Sequence, residues 1–344
     1  MKTTILLITA LIIGTQATKA QVLYSENFDN LTLGNVGTDF TGATPGKGGW
    51  HTKSEAWDVP SQKSNNYFNI VNEPGRGNVL SMSTTSARGQ SYLQKRGIDV
   101  LWNNRNPNNN ILKIEIDVYS GDQFSKGGST GAFQPMLGSI KPKYDFTDDM
   151  NEVIGLFQFD PSNISLYFFG GGLQCVNNSS PIFIFQSWIS LIYYIDYDNK
   201  KIYKVIPSLN FIHECNLKPG DFNIKALLLK SSNWIGSQAT TPVYKYDNIV
   251  ISAVKSVPLS TQDFLSEKFQ VFPNPATDLV NITNHENIAI KQIKIFDTAG
   301  KLVKTETYTN QTNMQVNTSI LASGSYLFHI ETTEGTVIKT IIKK

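Results

Sequence analysis

No window of this chain keeps a helical apolar period over three turns, and that restricts the fold more than any compositional figure. Apolar residues come instead in short alternating or continuous runs. Gly, Asn, Asp and Pro punctuate them, as turns between strands require. From residue 21 to about 255 the runs predict strands over 79–83, 111–119, 153–159, 164–169, 188–197, 201–206, 222–229 and 245–254. Many short strands separated by turn signals define an all-β chain, here an antiparallel sandwich or jelly roll.

The most legible hairpin runs from Trp188 through Asp198-Asn199-Lys200 to Ile206, with Asn and Asp able to take the left-handed backbone of a tight turn. Together with the opening Glu26-Asn-Phe-Asp29 and the closing Tyr246-Asp-Asn-Ile-Val-Ile-Ser-Ala253, this segment resembles the concanavalin A-like or laminin-G-like jelly roll. The resemblance implies that the first and last strands pair side by side. It also admits Ca2+ as a cofactor near those strands, with Glu26, Asp29 and Asp247 as oxygen ligands. Ordinary solvation of an edge strand explains the same three carboxylates.

A polar linker over 256–268 leads to a tail of a size suited to a seven-stranded immunoglobulin-like sandwich. Its strand signals are 279–283, 290–296, 301–307, 314–317, 324–331 and 336–342. Pro273-Asn274-Pro275 fixes φ at two positions and keeps Asn274 extended, a rigid entry to the first of these strands. Asp297-Thr298-Ala299-Gly300 reads as a hairpin turn with Gly300 free to take positive φ. Gly324 opens a strand whose alternate residues Tyr326, Phe328 and Ile330 share one face. In this order, and abutting the terminal Lys343-Lys344, these features resemble the type A sorting domain of the type IX secretion system of Bacteroidetes-like bacteria. That resemblance implies passage across the outer membrane, handling by the secretion machinery, and removal of the tail by a sortase near the linker. The protein would end on the cell surface or released.

The amino terminus agrees with export. Lys2, an apolar run over 5–13 and the small-residue stretch ending at Ala20 form a secretory signal peptide over 1–20, cleaved after Ala20, with Ala17 as the alternative. The apolar run is too short to span a bilayer, so the mature protein is expected to carry no transmembrane segment. The net charge of +2 vanishes once Lys2 and Lys19 are set aside, and no basic patch argues for nucleic acid. Cys175 and Cys215, the two cysteines, form one disulfide in an oxidising compartment or stand as two buried thiols.

Catalysis finds little support between these ends. On the strand over 111–119, Glu115 and Asp117 share a face with Lys113 and Tyr119, which is how glycoside hydrolases on such a sheet aim two carboxylates at one bond. The position for the second Glu holds Tyr119 or Ser120, so the retaining mechanism lacks its proton donor. A half-buried strand with Leu112, Ile114, Ile116 and Val118 inward explains the pattern without chemistry. Neither His51 nor His213 sits in a metal or nucleophile motif. Glycan binding has somewhat more support. Trp50, Trp57 and Trp102 lie in polar, irregular stretches where rings would be open to sugar stacking, unless they are core residues. The reading is therefore an exported protein whose passenger is a non-catalytic carbohydrate-binding or adhesive module. The alternatives are a secreted glycoside hydrolase or lyase, and a structural surface protein.

Overall fold

The computed structural model describes residues 20–121, 136–146, 153–160, 165–170, 185–209, 211–217, 223–233, 243–258, 263, 265, 266, 268–284 and 288–344. Cys175 and the signal peptide before Ala20 lie outside the described residues.

The passenger is two antiparallel sheets. One runs in the order Phe211–Asn216, Lys201–Ile206, Trp188–Asp196, Ile111–Tyr119, Tyr244–Val254, Gly77–Met82, Phe68–Glu73 and Gly34–Asn35, with Gln21–Glu26 also paired to Tyr244–Val254. The other runs Ser165–Gly170, Gly155–Asp160, Met136–Lys141, Ala226–Asn233, Gly89–Arg96, Trp50–Ala56 and Thr41–Pro45. First and last strands of the passenger do pair, from Gln21 opposite Ala253 to Glu26 opposite Ile249. A single apolar core joins the sheets, with Ile114, Ile116, Tyr193 and Tyr246 from the first meeting Trp50, Leu93, Ile140 and Leu227 from the second.

Strand Ile111–Tyr119 alternates as its sequence requires. Leu112, Ile114, Ile116 and Val118 are buried, and Lys113, Glu115, Asp117 and Tyr119 half-buried on the outer face. In the hairpin at 196–201 the left-handed residue is Lys200 (φ 55°) rather than Asn or Asp. The Asp196 carboxylate holds that turn by accepting from the amides of Asp198 (3.1 Å) and Asn199 (2.9 Å). The expected strand over 222–229 lies further along, at Ala226–Asn233, because its second half, Lys230-Ser-Ser-Asn233, is polar yet buried. Helix is confined to short pieces, of which Ile98–Asn103 is one.

The tail is a seven-stranded sandwich. Phe269–Phe272, Leu279–Asn284 and Met314–Asn317 form one sheet; Leu302–Gln311, Ile290–Asp297, Gly324–Thr332 and Thr336–Lys343 form the other. It has its own core, in which Val280 and Ile282 pack with Ile293, Tyr326, Phe328 and Ile330. Two details differ from expectation at its entrance. A strand, Phe269–Phe272, precedes Pro273-Asn274-Pro275, and both X–Pro bonds are cis. The motif therefore links two strands instead of opening the first. The Asn274 side chain donates to the Thr340 carbonyl (2.8 Å) and accepts from the Ile342 amide (2.9 Å), tying this link to the last strand.

The turn at 297–300 is as expected. Gly300 has φ 79°, its amide donates to the Asp297 carbonyl (3.0 Å), and the Asp297 carboxylate accepts from Ala299 and Lys301 amides (2.9 Å each). An L side chain is strained in that region. Gly300→Ala should therefore cost about 1 kcal/mol, read as a lower urea midpoint for the tail's transition.

Candidate functional site

Asp117 is the centre of the site because register places three strands around it. It sits opposite Ser190 on one neighbour and opposite Asp247 on the other, with all three side chains on the outer face. The Tyr244–Val254 strand is irregular between Asp247 and Val250, where Asn248 takes φ 46°. Such an irregularity re-aims a side chain. Here it turns the Asn248 amide onto Asp117 Oδ2 at 3.0 Å.

Arg76, in the turn Glu73-Pro-Gly-Arg-Gly77, reaches over this group. One guanidinium nitrogen donates to Asp117 Oδ2 (2.9 Å) and the other to Asp247 Oδ2 (3.0 Å). Ser190 donates to Asp117 Oδ1 at 2.5 Å. The guanidinium carbon lies 4.0 Å from the centroid of the Trp188 ring, and that ring packs on Tyr119 at 5.6 Å. Arg76, Asp117, Trp188, Ser190, Asp247 and Asn248 line a cleft of about 830 Å³ together with Asn27, Asp29 and Pro207, and Lys268 and Glu334 border it.

Burial, followed by repulsion from Asp117 and Asp29, pushes the Asp247 carboxyl up to about 6 against the pull of Arg76 and the Asn248 amide. The sign follows from linkage. A carboxyl whose folded-state value is raised lets the folded state hold the proton more tightly, so its contribution to stability falls as pH rises from about 4 through 6. Asp247→Asn should remove that component. Compared with wild type, the variant's thermal midpoint should gain relative ground as pH is raised from 4 to 7.

The residues singled out in the sequence divide clearly. Asp117, Asp29 and Asp247 belong to this site, and Tyr119 packs against its Trp188 without lining the cleft. Glu115 does not; it pairs with Lys113 at 2.9 Å. Glu26 is also elsewhere, accepting from the Phe28 amide at 2.9 Å with its second oxygen toward Tyr24. Among the described residues, no three of His, Cys, Asp and Glu stand together in an arrangement suited to a metal ion. The cation that bridges Asp117 and Asp247 is the Arg76 guanidinium.

Two of the three tryptophans are corrected. Trp50 is wholly buried in a strand, against Phe28 at 6.2 Å, and Trp102 is buried on Tyr197 at 5.1 Å with Arg105 beside it. Neither presents a ring to a ligand. Trp57 is 38% exposed, with Arg88 5.9 Å from its ring. Cys215 is disulfide-bonded, and its sulfur is 3.6 Å from His213 Nδ1. Arg76, Trp188 and Asn248 escaped sequence reasoning. The one available signal was Trp188 at an outward position of a strand that also carries the inward Tyr193.

Residues 270–344 match the family described as the secretion system C-terminal sorting domain. The protein is thus exported, to the cell surface or the medium, and handled by the type IX secretion machinery. Among the described residues no helix is long and apolar enough to cross a membrane. No curated protein matches the chain. Among solved structures it is similar to an endo-1,3-beta-glucanase from Streptomyces sioyaensis (TM-score 0.44, 9% identity, 70% of this chain and 98% of that one). It is also similar to a botulinum neurotoxin serotype C1 binding domain (TM-score 0.41, 10% identity, 92% of this chain and 72% of that one). A sialidase is similar over 68% of this chain but only 19% of its own length, at TM-score 0.40 and 9% identity.

Proposed function

We propose that this is an exported glycan-binding or adhesive protein: a signal peptide over 1–20, a jelly-roll passenger over 21–255, a linker over 256–268 and a sorting domain over 269–344 that a sortase removes. The observation that carries the binding role is the cleft around Asp117. A sugar needs hydrogen-bonding groups for its hydroxyls and an apolar surface for its ring face. Asp117, Ser190 and Asn248 supply the first, and Trp188 with the Arg76 guanidinium stacked on its ring supplies the flat surface for the second.

The same geometry weighs against hydrolysis there. A retaining or inverting mechanism needs the bond to be cut between two carboxyl groups, and the Arg76 guanidinium fills the space between Asp117 and Asp247. On a glycan array the protein should bind without releasing product. Trp188→Leu should weaken that binding at least tenfold. Reducing sugar released by the wild-type protein would overturn the non-catalytic reading, and full binding by Trp188→Leu would remove the cleft from it.

A further inference from the structure

On the opposite side of the passenger, the outer face of the seven-stranded sheet has a different chemistry. Trp50, Thr52 and Leu93 point inward, so His51, Lys53, Tyr92, Gln94 and Arg96 lie on the other face of two adjacent strands, His51 opposite Gln94 and Lys53 opposite Tyr92. Tyr92 and Gln94 are covered there by Phe146 and the Asp145 backbone, and His51, Lys53 and Arg96 stay half-buried. Most charges on this face are already paired: Lys53 with Glu55 at 2.7 Å, and Lys141 with Asp145 at 2.5 Å.

Arg96 is the exception. Its Nε donates to Gln94 Oε1 (2.8 Å) and one terminal nitrogen donates to the Gly42 carbonyl (3.3 Å). Both acceptors are uncharged, and among the described residues no carboxylate pairs with it. A half-buried guanidinium held by neutral acceptors keeps its charge and its remaining N–H groups for a ligand.

The Gly42 carbonyl also meets His51 Nδ1 at 3.1 Å. A carbonyl can only accept, so Nδ1 carries the proton and Nε2 the lone pair. Burial and then the neighbouring Arg96 hold this imidazole below its ordinary value, keeping it neutral at pH 7. An acceptor thus stands beside an unneutralised cation. Aromatic rings border the pair: Phe146 and Tyr144 lie 5.6 and 5.8 Å from the guanidinium carbon, and Tyr144 is 42% exposed.

We propose that this face is a second glycan site, taking a carboxylate-bearing sugar, a uronate polymer, with Arg96 as the group that binds the carboxylate. A uronate carries on one ring the three features the site matches: a carboxylate for Arg96, a hydroxyl donor for His51 Nε2, and an apolar ring face for the bordering aromatics. An acidic peptide offers the first without the others. None of these residues belongs to the Asp117 cleft, so the two sites succeed or fail separately.

The test is affinity electrophoresis of the full-length protein through gels containing polygalacturonate or alginate, with neutral laminarin as the contrast. Polyuronate should retard the wild type. Arg96→Gln should bind it at least tenfold more weakly, and Arg96→Lys should fall between, since the charge remains and the fork is lost. Trp188→Leu, in the other site, should leave polyuronate binding unchanged. Thermal melts identify any variant that unfolds; if Arg96→Gln does, Arg96→Lys decides by its intermediate affinity. No retardation of the wild type by either polyuronate would overturn the proposal, as would wild-type affinity in a folded Arg96 variant. So would competition by poly-glutamate as effective as that by an oligouronate.

Discussion

Cells producing the chain without residues 269–344 should accumulate a folded passenger in the periplasm and none on the surface. Surface labelling with an antibody to the passenger, set beside periplasmic extracts, measures this directly. The expectation of a folded passenger rests on the two cores. The residues that close the sandwich around Ile114 and Tyr193 are distinct from those that close the tail around Ile293 and Phe328. A point variant makes the same test with the chain intact. Ile330 is fully buried between the tail's sheets, and Ile330→Asp places a carboxylate there without a partner. A buried unpaired charge of this kind costs several kcal/mol. The variant should lose its tail's cooperative transition and its surface display together, while the passenger's transition stays in place. Undiminished display of either protein would separate the tail from export.

The second large effect belongs to Trp50. This ring is wholly buried against Phe28, so Trp50→Ala should destabilise the passenger by about 3–5 kcal/mol. Trp57→Ala, at a site 38% exposed, should change stability by no more than about 0.5 kcal/mol. A third variant tests the reason. The Trp50 indole N–H is buried without a hydrogen-bond partner. Trp50→Phe deletes that orphan donor along with part of the ring, and an unsatisfied buried donor costs about 1–3 kcal/mol. It should therefore cost far less than Trp50→Ala. Urea unfolding of the three proteins, followed by tryptophan fluorescence or far-UV dichroism, gives the order; equal losses for Trp50 and Trp57 variants would contradict the burial argument.

These residues also show where strand signals could and could not be read. Ile111–Tyr119 and Lys201–Ile206 begin and end where their apolar runs do, because aliphatic side chains fill their inner faces. Trp50–Ala56 went unread because its inward positions after Trp50 are Thr52, Ser54 and Ala56, small residues that alternate in size with their neighbours rather than in polarity. Gly89–Arg96 is buried over Gln90, Ser91 and Gln94 and so looks like loop composition. Two polar-faced strands side by side hid part of one sheet.

The cleft was half legible. Asp117 was marked for its strand and Asp247 for its place near the closing strand, but their meeting depends on register, which no local pattern states. Arg76, forty-one residues from Asp117 along the chain, sits in a Gly-rich turn that reads only as a connection. The tail was read nearly strand for strand, since each strand there buries aliphatic residues at alternate positions.

The pairing of Gln21–Glu26 with Tyr244–Val254 makes the larger sheet depend on both ends of the passenger. The strand beside Tyr244–Val254 on its other flank is Ile111–Tyr119, at the middle of the larger sheet. The first strand has no neighbour until residues 244–254 are in place, and the central one is paired until then only with Trp188–Asp196. The larger sheet is therefore completed by the last of its strands in the sequence, so a passenger cut short of residue 244 loses its first strand's partner and one flank of its central strand.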